Sequence, residues 1–411
     1  MFHYQADLLY CENLPVEAVA RQVGTPFYCY SAEAIRTRFR EYTTVFEPDN
    51  ALICYAVKAN SNPSVLGLLA EMGSGADVVS AGELHSALAA GIPASKIVFS
   101  GVGKTVSEMN FALERGIFQF NVESEPELER LNQLALSVGK PARVSIRVNP
   151  DIDARTHRKI TTGKSENKFG IPASRAIKIY DQARRLKGIE TQGISMHIGS
   201  QLTRLRPFEQ AFNALAALTG QLRAAGHDIR VLDIGGGLGI DYGDGHAPPP
   251  LERYARLARQ ILEPLGCRLI IEPGRSLLGA AGILVTEIQY VKQGQERTFL
   301  IVDAGMNHLL RPALYDAWHD ILPVSKTRGK TLEYDVVGPI CETGDSFATK
   351  RRLSRMTQGD LLAVMNTGAY GAVMGSFYNS HPLAPEVLID QGELRIVRKR
   401  MGLDQMIAMD N

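Results

Sequence analysis

Short apolar runs alternate with helix-like segments from about residue 31 to residue 275 of the chain. Each run stops at a polar or glycine-containing loop, which is the pattern of buried parallel strands joined by crossover helices. We predict strands at 53–57, 77–79, 96–100, 118–122, 143–148, 193–197, 230–234 and 268–272, and helices at 106–115, 125–138 and 207–225. This is about the strand number of a closed (β/α)8 barrel of the TIM type. An open doubly wound sheet is the alternative.

The pattern changes after residue 275, where strand-like segments follow one another without regular helices between them. Such segments lie at 283–291, 297–303, 361–365, 386–390 and 394–398. Alternating residues at 25–30 predict one more strand of the same kind. We therefore predict a barrel domain at 31–275 and an all-β domain, a sandwich or a β-barrel, formed by 1–30 together with 276–411.

Length and composition limit the kinds of function. With 411 residues the chain is too long for one ordinary core, and its 45% hydrophobic residues fit a soluble enzyme. Its 45 basic and 44 acidic residues leave a formal net charge of +1, so no overall field favours nucleic acid or an anionic membrane. The five cysteines include no Cys-x-x-Cys pair, which argues against a disulfide framework and a zinc site. Because neither a signal-peptide pattern nor a bilayer-spanning apolar stretch is evident, we expect a cytoplasmic protein.

Lys58 lies where the apolar run 51–57 gives way to the turn-forming segment 60–63. Burial at the mouth of a strand favours the neutral amine, and a neutral lysine amine can attack a carbonyl group covalently. The alternative is a structural lysine whose aliphatic stem lies on the core while its ammonium group reaches solvent. This segment alone leaves both interpretations open.

Other chemically distinctive residues fall at the predicted C-terminal ends of strands, where a (β/α)8 barrel collects its functional groups. In chain order these residues are Lys58, Asp77, Ser100, Arg147, Asn149, His197, Gly235, Gly236, Gly237, Glu272 and Arg275. Three successive glycines allow backbone N–H groups to approach a phosphate, although a tight turn is the structural alternative. A dinucleotide-binding fingerprint would also need glycine at position 240, where the chain has Ile240, so that motif fails on its spacing.

Glu272 and His197 add two further chemical groups. A buried Glu272 can hold the positive charge of a heteroaromatic nitrogen through a charge-assisted hydrogen bond, and it can also pair with Arg275. His197 can stack on a ring, although a histidine at a strand end is often structural. With Lys58 and the three glycines, these residues supply what pyridoxal phosphate requires: an amine, phosphate ligands, a ring-facing side chain and an acid for the pyridine nitrogen.

These residues belong to motifs that resemble, in the same order, those of the fold-type III pyridoxal phosphate decarboxylases. The resemblance extends from about residue 25 to residue 398, and within the family it is strongest to the branch that acts on diaminopimelate. The motifs begin at Tyr55, Asp77, His197, Asp233, Glu272, Cys341 and Gly368, and they read YAVKAN, DVVSAGEL, HIGSQ, DIGGG, EPGR, CETGD and GAYG.

The resemblance implies a role for each matching residue. Lys58 would bind pyridoxal 5'-phosphate covalently, with Asp77 nearby. His197 would stack on the ring and Glu272 would pair with its nitrogen. The remaining cofactor contacts, mostly to the phosphate, would be Ser200, Gly235, Gly236, Gly237, Gly274, Arg275 and Tyr370.

Cys341 is the third residue, with Lys58 and His197, to which the resemblance assigns catalysis. It would come from the β domain of the partner subunit and act as a proton donor, so the protein would be a homodimer that shares its active sites across the interface. Without the resemblance, Cys341 would be interpreted as a buried structural cysteine.

The expected substrate follows from Arg311 and Tyr315. A diamine-forming decarboxylase needs a carboxylate for the distal ammonium group. Here Arg311 and Arg275 can hold a distal carboxylate, while Tyr315 donates and Glu342 accepts hydrogen bonds, with Tyr370 as a further contact. This set suits meso-2,6-diaminopimelate, whose decarboxylation gives L-lysine and CO₂ as the last step of lysine biosynthesis. The alternatives are a decarboxylase of D-lysine, D-ornithine or a carrier-bound acyl amino acid, a racemase, and a non-catalytic cofactor-binding regulator.

Overall fold

The computed structural model describes residues 1–46, 51–153, 159–160, 162–163, 167–327 and 329–410. The chain forms two compact units. The first comprises Phe39–Gly239 and Pro248–Ser276, and the second comprises Met1–Arg38, Ile240–Ala247 and Leu277–Asn411. Among the helices of these described residues, none is both long enough and apolar enough to cross a membrane.

Strands occur in both units. They are β1 Phe2–Gln5, β2 Leu8–Cys11, β3 Leu14–Pro15, β4 Phe27–Ser31, β5 Leu52–Ala56, β6 Gly75–Val78, β7 Ile97–Phe99, β8 Gln119–Val122, β9 Ala142–Asn149, β10 Ile171–Pro172, β11 Ile189–Ser195, β12 Val231–Asp233, β13 Arg268–Ile271, β14 Gly282–Gln293, β15 Thr298–Val302, β16 Ile321–Pro323, β17 Thr331–Val337, β18 Ser346–Ser354, β19 Leu361–Val364, β20 Glu386–Asp390 and β21 Glu393–Arg398.

Helices lie mainly between the strands of the first unit. They are α1 Val16–Val23, α2 Ala32–Phe46, α3 Pro63–Glu71, α4 Ala81–Ala89, α5 Val106–Arg115, α6 Glu125–Val138, α7 Ala176–Ala183, α8 Arg206–Ala224, α9 Leu251–Leu262, α10 Arg275–Leu278, α11 Arg311–Tyr315 and α12 Leu403–Ile407.

In the first unit, eight parallel strands of the described residues close into a barrel. Neighbouring strands are hydrogen-bonded in the order β9-β11-β12-β13-β5-β6-β7-β8. The barrel is closed because β8, the last strand in this order, pairs with β9, the first, at Phe120↔Val144 and Val122↔Ile146. The predicted (β/α)8 barrel is confirmed and the open sheet is excluded. In such a barrel, the C-terminal ends of the strands all lie at one rim.

Burial and helix capping explain why the sequence forms these units. Every residue of β5, β6, β7 and β8 is buried, which accounts for continuous apolar runs in place of an alternating pattern. Several helices begin at a capping residue shortly after a strand. Ser80 accepts a hydrogen bond from the N–H of Glu83, and Ser124 accepts one from the N–H of Glu127. Each cap stabilises its helix by about 1 kcal/mol and fixes the loop at the rim.

Buried amide and hydroxyl groups form a line inside the barrel. Oε1 of Gln119 accepts hydrogen bonds from Oγ of Ser145 at 3.0 Å and from Nε2 of Gln192 at 3.1 Å. Nε2 of Gln119 donates to Oδ1 of Asn121 at 2.8 Å. Unpaired polar groups in an interior are costly, so these bonds fix the orientation of each amide. The line therefore determines which way Nδ2 of Asn121 points.

The described residues of the second unit form two sheets. The smaller has the order β1-β2-β3, and the main path of the larger is β18-β17-β15-β14-β4-β20-β21, with β19 paired to both β14 and β16. The N-terminal strand β4 lies between β14 and β20. Its residues Phe27 and Cys29 belong to the apolar core, while the hydroxyl of Tyr30 donates to Glu386 at 2.6 Å. The predicted fold class, a barrel with a separate sheet domain that includes the N-terminal segment, is confirmed.

Candidate active site

A cavity of about 170 Å³ opens at the ends of the barrel strands. Three predicted residues, Lys58, His197 and Glu272, line it together. The other described residues that line it are Val79, Ser100, Gly101, Asn121, Arg147, Thr162, Phe169, Ser195, Met196 and Asp233. An amine, an imidazole and two carboxyl groups therefore face one small space.

Lys58 lies in a single 3-10 turn, Val57–Ala59, directly after β5. Its Nζ forms an ion pair with Oδ2 of Asp77, which is completely buried in the neighbouring strand β6. The other carboxylate oxygen of Asp77, Oδ1, is buried and has no hydrogen-bond partner among the described residues. A buried carboxylate oxygen without a donor is costly, so this position favours a ligand that brings one.

His197 is oriented by the glycine turn that follows β12. Its Nδ1 accepts a hydrogen bond from the N–H of Gly236 at 3.2 Å, which leaves the proton of a neutral ring on Nε2. Desolvation, reinforced by the positive charges of Arg147 and Lys58, holds the pKa of His197 well below its ordinary value. The residue is therefore a flat, neutral ring on the wall of the cavity.

The three glycines predicted to hold phosphate lie where side chains do not fit. A Cβ on Gly236 would overlap the backbone oxygen of Glu272. Gly235 has a φ of +63°, and a Cβ there would lie 2.8 Å from Nδ1 of His197. Side chains larger than hydrogen are therefore excluded at both positions. The turn leaves a side-chain-free surface beside the His197 ring, which suits the close approach of a phosphate.

Asp233 and Glu272 form a pair of neighbouring buried acids. Nδ2 of Asn121 lies 2.8 Å from Oδ2 of Asp233 and 3.4 Å from Oε1 of Glu272, and it also lies 3.0 Å from Oγ of Ser100. Burial raises the pKa of Asp233 to about 6. Burial, followed by the negative charges of Asp233 and Asp77, raises the pKa of Glu272 well above its ordinary value. Two carboxyl groups this close do not both ionise readily, so one proton stays on the pair near neutral pH.

The predicted phosphate ligands Ser200, Gly274 and Arg275 lie together in the barrel unit. Arg275 begins the short helix α10 directly after Gly274, and its buried guanidinium donates from Nη2 to Oγ of Ser200 at 3.2 Å. Ser200 follows Gly199, whose oxygen would lie 2.6 Å from a Cβ on Gly237. The glycine turn, the serine and the arginine therefore form one connected group.

Several polar residues of the cavity had no role assigned from the sequence, and three of them lie in barrel strands and are charged or carry an amide: Asn121, Arg147 and Asp233. Arg147 stands out among them, because its Nη1 donates to Oε1 of Glu123 at 2.8 Å and its guanidinium carbon lies 4.9 Å from the centre of the Phe169 ring. A signal was present in the sequence, since each of the three is a polar residue within an apolar strand. What a strand pattern does not reveal is which of these side chains meet.

Arg311 and Tyr315, the predicted substrate residues, lie in the second unit on the single turn of α11. Arg311 is buried, and its Nε donates to Nε2 of His319 at 3.3 Å. The guanidinium carbon lies 5.3 Å from the centre of the Tyr242 ring and 5.9 Å from that of Tyr315. These contacts place the positive charge against aromatic rings and fix its direction.

Cys341, Glu342 and Tyr370 also belong to the second unit. The N–H of Cys341 donates to Oδ1 of Asn379 at 2.9 Å, and Glu342 accepts a hydrogen bond of 2.5 Å from the hydroxyl of Tyr378. Tyr370 has a φ of +57°, an uncommon backbone conformation for a residue with a side chain. The thiol of Cys341 is exposed in the protomer, so its interpretation as a buried structural cysteine is wrong.

A family model described as "Pyridoxal-dependent decarboxylase, pyridoxal binding domain" matches residues 32–279. The chain belongs to this family. Pyridoxal phosphate is therefore the cofactor, and the resemblance seen in the sequence motifs is confirmed.

Curated relatives of this pyridoxal-dependent decarboxylase align with it from end to end. The diaminopimelate decarboxylase of Aquifex aeolicus is 46% identical over 98% of this chain and 96% of its own length. That of Vibrio cholerae is 47% identical over 100% of this chain and 98% of its own length. A solved diaminopimelate decarboxylase from Helicobacter pylori, complexed with L-lysine, has a TM-score of 0.93 and 42% identity and covers 96% of this chain and 99% of that chain. A lysine/ornithine decarboxylase from Vibrio vulnificus, at 22% identity, shares the fold.

The cavity of this decarboxylase fits pyridoxal phosphate on several structural grounds. The turn at Gly235 and Gly236 has no room for side chains, so it leaves space for a phosphate. Oδ1 of Asp77 and Oγ of Ser195 are buried without hydrogen-bond partners among the described residues, so both remain available to a polar ligand. Lys58 offers a primary amine to the same cavity.

Proposed function

We propose that this decarboxylase converts meso-2,6-diaminopimelate to L-lysine and CO₂, the last step of lysine biosynthesis. The observation that carries the proposal is the ion pair of Lys58 with Asp77 at a cavity that also contains Glu272 and a side-chain-free turn. The choice of substrate is supported by the full-length relatives that bear the name diaminopimelate decarboxylase and by solved relatives complexed with L-lysine.

Bound pyridoxal phosphate supplies an electron sink for the electron pair that a departing carboxylate leaves on the substrate carbon. In the proposal, the Nζ of Lys58 would hold the cofactor covalently, and the neutral ring of His197 would stack on the pyridine. Glu272 would accept a charge-assisted hydrogen bond from the protonated pyridine nitrogen, which would keep that nitrogen positively charged. Apolar cavity walls such as Val79 and Met196 reduce access of water to the reacting carbon.

The phosphate group is assigned to the connected group of ligands in the barrel unit. Arg275 carries a permanent positive charge whose position is fixed by its hydrogen bonds to Ser200. The residues assigned to the phosphate and the rest of the cofactor are Asp77, Ser200, Gly235, Gly236, Gly237, Gly274, Arg275 and Tyr370.

The distal end of the substrate is assigned to Arg275, Arg311, Tyr315, Glu342 and Tyr370. Arg311 is buried against Tyr242 and Tyr315, so its fork of N–H donors is held in one direction before substrate binds. A pre-oriented guanidinium favours a carboxylate, whereas a diamine product such as cadaverine has no group that it can bind. This preference supports a substrate with an amino acid group at each end.

Replacing Arg311 with alanine is expected to raise KM for meso-diaminopimelate about tenfold to a hundredfold, because a charge-assisted hydrogen bond contributes about 1.5–3 kcal/mol. D-Lysine lacks the distal carboxylate, so its KM, or its inhibition constant if turnover is too slow, should change little. Steady-state kinetics with both compounds test this. The matched control is Arg297→Ala, which removes a half-exposed arginine of the same unit. An equal increase in KM for meso-diaminopimelate and D-lysine would show that Arg311 does not recognise the distal carboxylate.

We also propose that the enzyme is a homodimer in which Cys341 of the β domain completes the active site of the partner subunit and donates a proton to the substrate carbon. In this arrangement residues 31–275 form the cofactor-binding domain, and residues 1–30 with 276–411 form the β domain. An exposed thiol on a loop held by Asn379 is available for such a role. The free state of all five cysteines supports a cytoplasmic location, because that compartment keeps thiols reduced.

Purified enzyme with added pyridoxal phosphate should release CO₂ and L-lysine in equal amounts from meso-diaminopimelate. D-Lysine and D-ornithine serve as competing substrates, and chiral chromatography identifies the product. A kcat/KM for D-lysine equal to or above that for meso-diaminopimelate would favour a different decarboxylase. Interconversion of enantiomers without CO₂ would indicate a racemase, and cofactor absorbance without turnover of any of the three would indicate a regulator.

A further inference from the structure

Asp233, the last residue of β12, contacts two parts of the cavity that the proposed function uses separately. Its Oδ1 accepts a hydrogen bond from the N–H of Gly235 at 3.0 Å, which holds the first glycine of the turn. Its Oδ2 lies 2.8 Å from Nδ2 of Asn121, the atom that is also 3.4 Å from Oε1 of Glu272. The residue is only 1% exposed, so these bonds form away from water.

The backbone holds the two acids next to each other. The N–H of Glu272 donates to the oxygen of Gly235 at 2.9 Å, and the N–H of Ile234 donates to the oxygen of Ile270 at 3.0 Å. The pairing of β12 with β13 therefore continues past the ends of both strands. A Cβ on Gly236 would overlap the backbone oxygen of Glu272, so the glycine turn and the backbone of the acid lie in close contact.

We propose that Asp233 is a positioning residue that carries the proton of the buried acid pair and, by donating it in a hydrogen bond, holds Glu272 as the ionised acid that faces the pyridine nitrogen. The inference rests on the proposed function, because that function assigns Glu272 to the nitrogen. Asp233 itself touches neither cofactor nor substrate in this role.

The distribution of protons follows from charge and geometry. Before the cofactor binds, Glu272 is the acid with the more strongly raised pKa, so the proton of the pair favours Glu272. A protonated pyridine nitrogen needs an ionised Glu272, and two adjacent buried carboxyl groups avoid a second negative charge, so in the holoenzyme the proton of the pair belongs to Asp233. Its O–H then donates to Glu272, while its Oδ1 still accepts from Gly235. A carboxylate that accepts such a bond is less basic. The proton between Glu272 and the pyridine therefore stays on the ring nitrogen. Two nearby charges also act on Glu272: the negative charge of Asp77 raises its pKa and the positive charge of Lys58 lowers it.

The competing explanation is purely structural: Asp233 caps the glycine turn and has no effect on the ring. Three substitutions separate the two roles. Asp233→Asn keeps an acceptor for Gly235 and a donor for Glu272, although its NH2 group replaces the oxygen that accepts from Nδ2 of Asn121. Asp233→Ser retains a short hydroxyl that can cap the turn but does not reach Glu272. Asp233→Ala removes both contacts, and Asp228→Ala, at a mostly exposed acid shortly before the same strand, is the matched control.

The test uses holoenzymes loaded with pyridoxal phosphate that carries ¹⁵N in the ring. We expect the ¹⁵N chemical shift of the wild type, Asp233→Asn and Asp228→Ala to be that of a protonated ring. In Asp233→Ser and Asp233→Ala it should move toward the value of an unprotonated pyridine. Asp233→Ala should also bind the cofactor about tenfold to a hundredfold more weakly, whereas Asp233→Ser should retain most of the affinity. Thermal unfolding of each holoenzyme shows whether the variants are folded.

A protonated ring in Asp233→Ser would overturn the inference, and this variant decides the matter even if Asp233→Ala does not fold. The wild type serves as a separate check on the proposed function. If the ring nitrogen of the wild type is unprotonated, the assignment of Glu272 is wrong. If the ring is protonated in the wild type and also in Asp233→Ser and Asp233→Ala, the assignment of Glu272 stands and the role of Asp233 is refuted.

Discussion

Replacing Lys58 with alanine is expected to lower kcat for decarboxylation by at least about a thousandfold, which corresponds to about 4 kcal/mol in the activation barrier. Among the described residues that line the barrel cavity, Lys58 is the one lysine, so no second primary amine stands ready to hold the cofactor covalently. The phosphate ligands are unchanged in this variant. It should therefore still bind pyridoxal phosphate, as the free aldehyde.

Borohydride reduction followed by peptide mapping tests this directly. In the wild type, the reduced cofactor should be attached to the peptide that contains Lys58, and in the variant the attachment should disappear along with the visible band of the holoenzyme. Lys187→Ala, at an exposed lysine of the same unit, is the matched control and should behave like the wild type. A cofactor tag recovered on another lysine of the wild type would contradict the proposed site.

The barrel and its candidate lysine were predictable because both depend on local sequence. Strands that are buried on both faces give continuous apolar runs, and the run before Lys58 stops where the polar loop begins. Most predicted ends differ from the structure by a residue or two: the segment predicted at 77–79 is the strand Gly75–Val78, and that at 96–100 is Ile97–Phe99. The exception is the segment predicted at 193–197, which is the strand Ile189–Ser195 and begins four residues earlier. Hydrophobic patterning locates a strand, whereas hydrogen bonding decides its last residue.

The side-chain network around the cavity was not predictable in the same way. Asn121 contacts Asp233 and Glu272, which lie 112 and 151 residues further along the chain. These contacts depend on the register of β8, β12 and β13 around the closed barrel and on the amide line that orients Asn121. A single sequence shows the polar residue in the strand but not its partners. The hydrogen bond from Arg275 to Ser200, which joins two motifs, depends on tertiary packing in the same manner.

Replacing Cys341 with alanine is expected to lower kcat about a hundredfold to ten-thousandfold while leaving the visible absorbance of the bound cofactor intact, because a positioned proton donor accelerates a reaction by about that factor. The loop that carries this thiol is also held by Asp345, which accepts hydrogen bonds from the N–H groups of Ile340 and Met306, so loss of the sulfur should leave the loop in place. Cys267→Ala, at a cysteine of the barrel unit, is the matched control and should keep full activity. An unchanged kcat in Cys341→Ala would reject the role.

Mixed dimers of Cys341→Ala and Lys58→Ala decide whether that thiol acts across an interface. If each site combines Lys58 of one subunit with Cys341 of the other, neither homodimer has an intact site, but a mixed dimer has one. Random association of equal amounts should then restore roughly a quarter of the wild-type activity, because half of the dimers are mixed and half of their sites are intact. The activity should rise with the time allowed for subunit exchange. If the mixture is no more active than the separate variants after exchange has been demonstrated with tagged subunits, Cys341 does not serve the partner subunit.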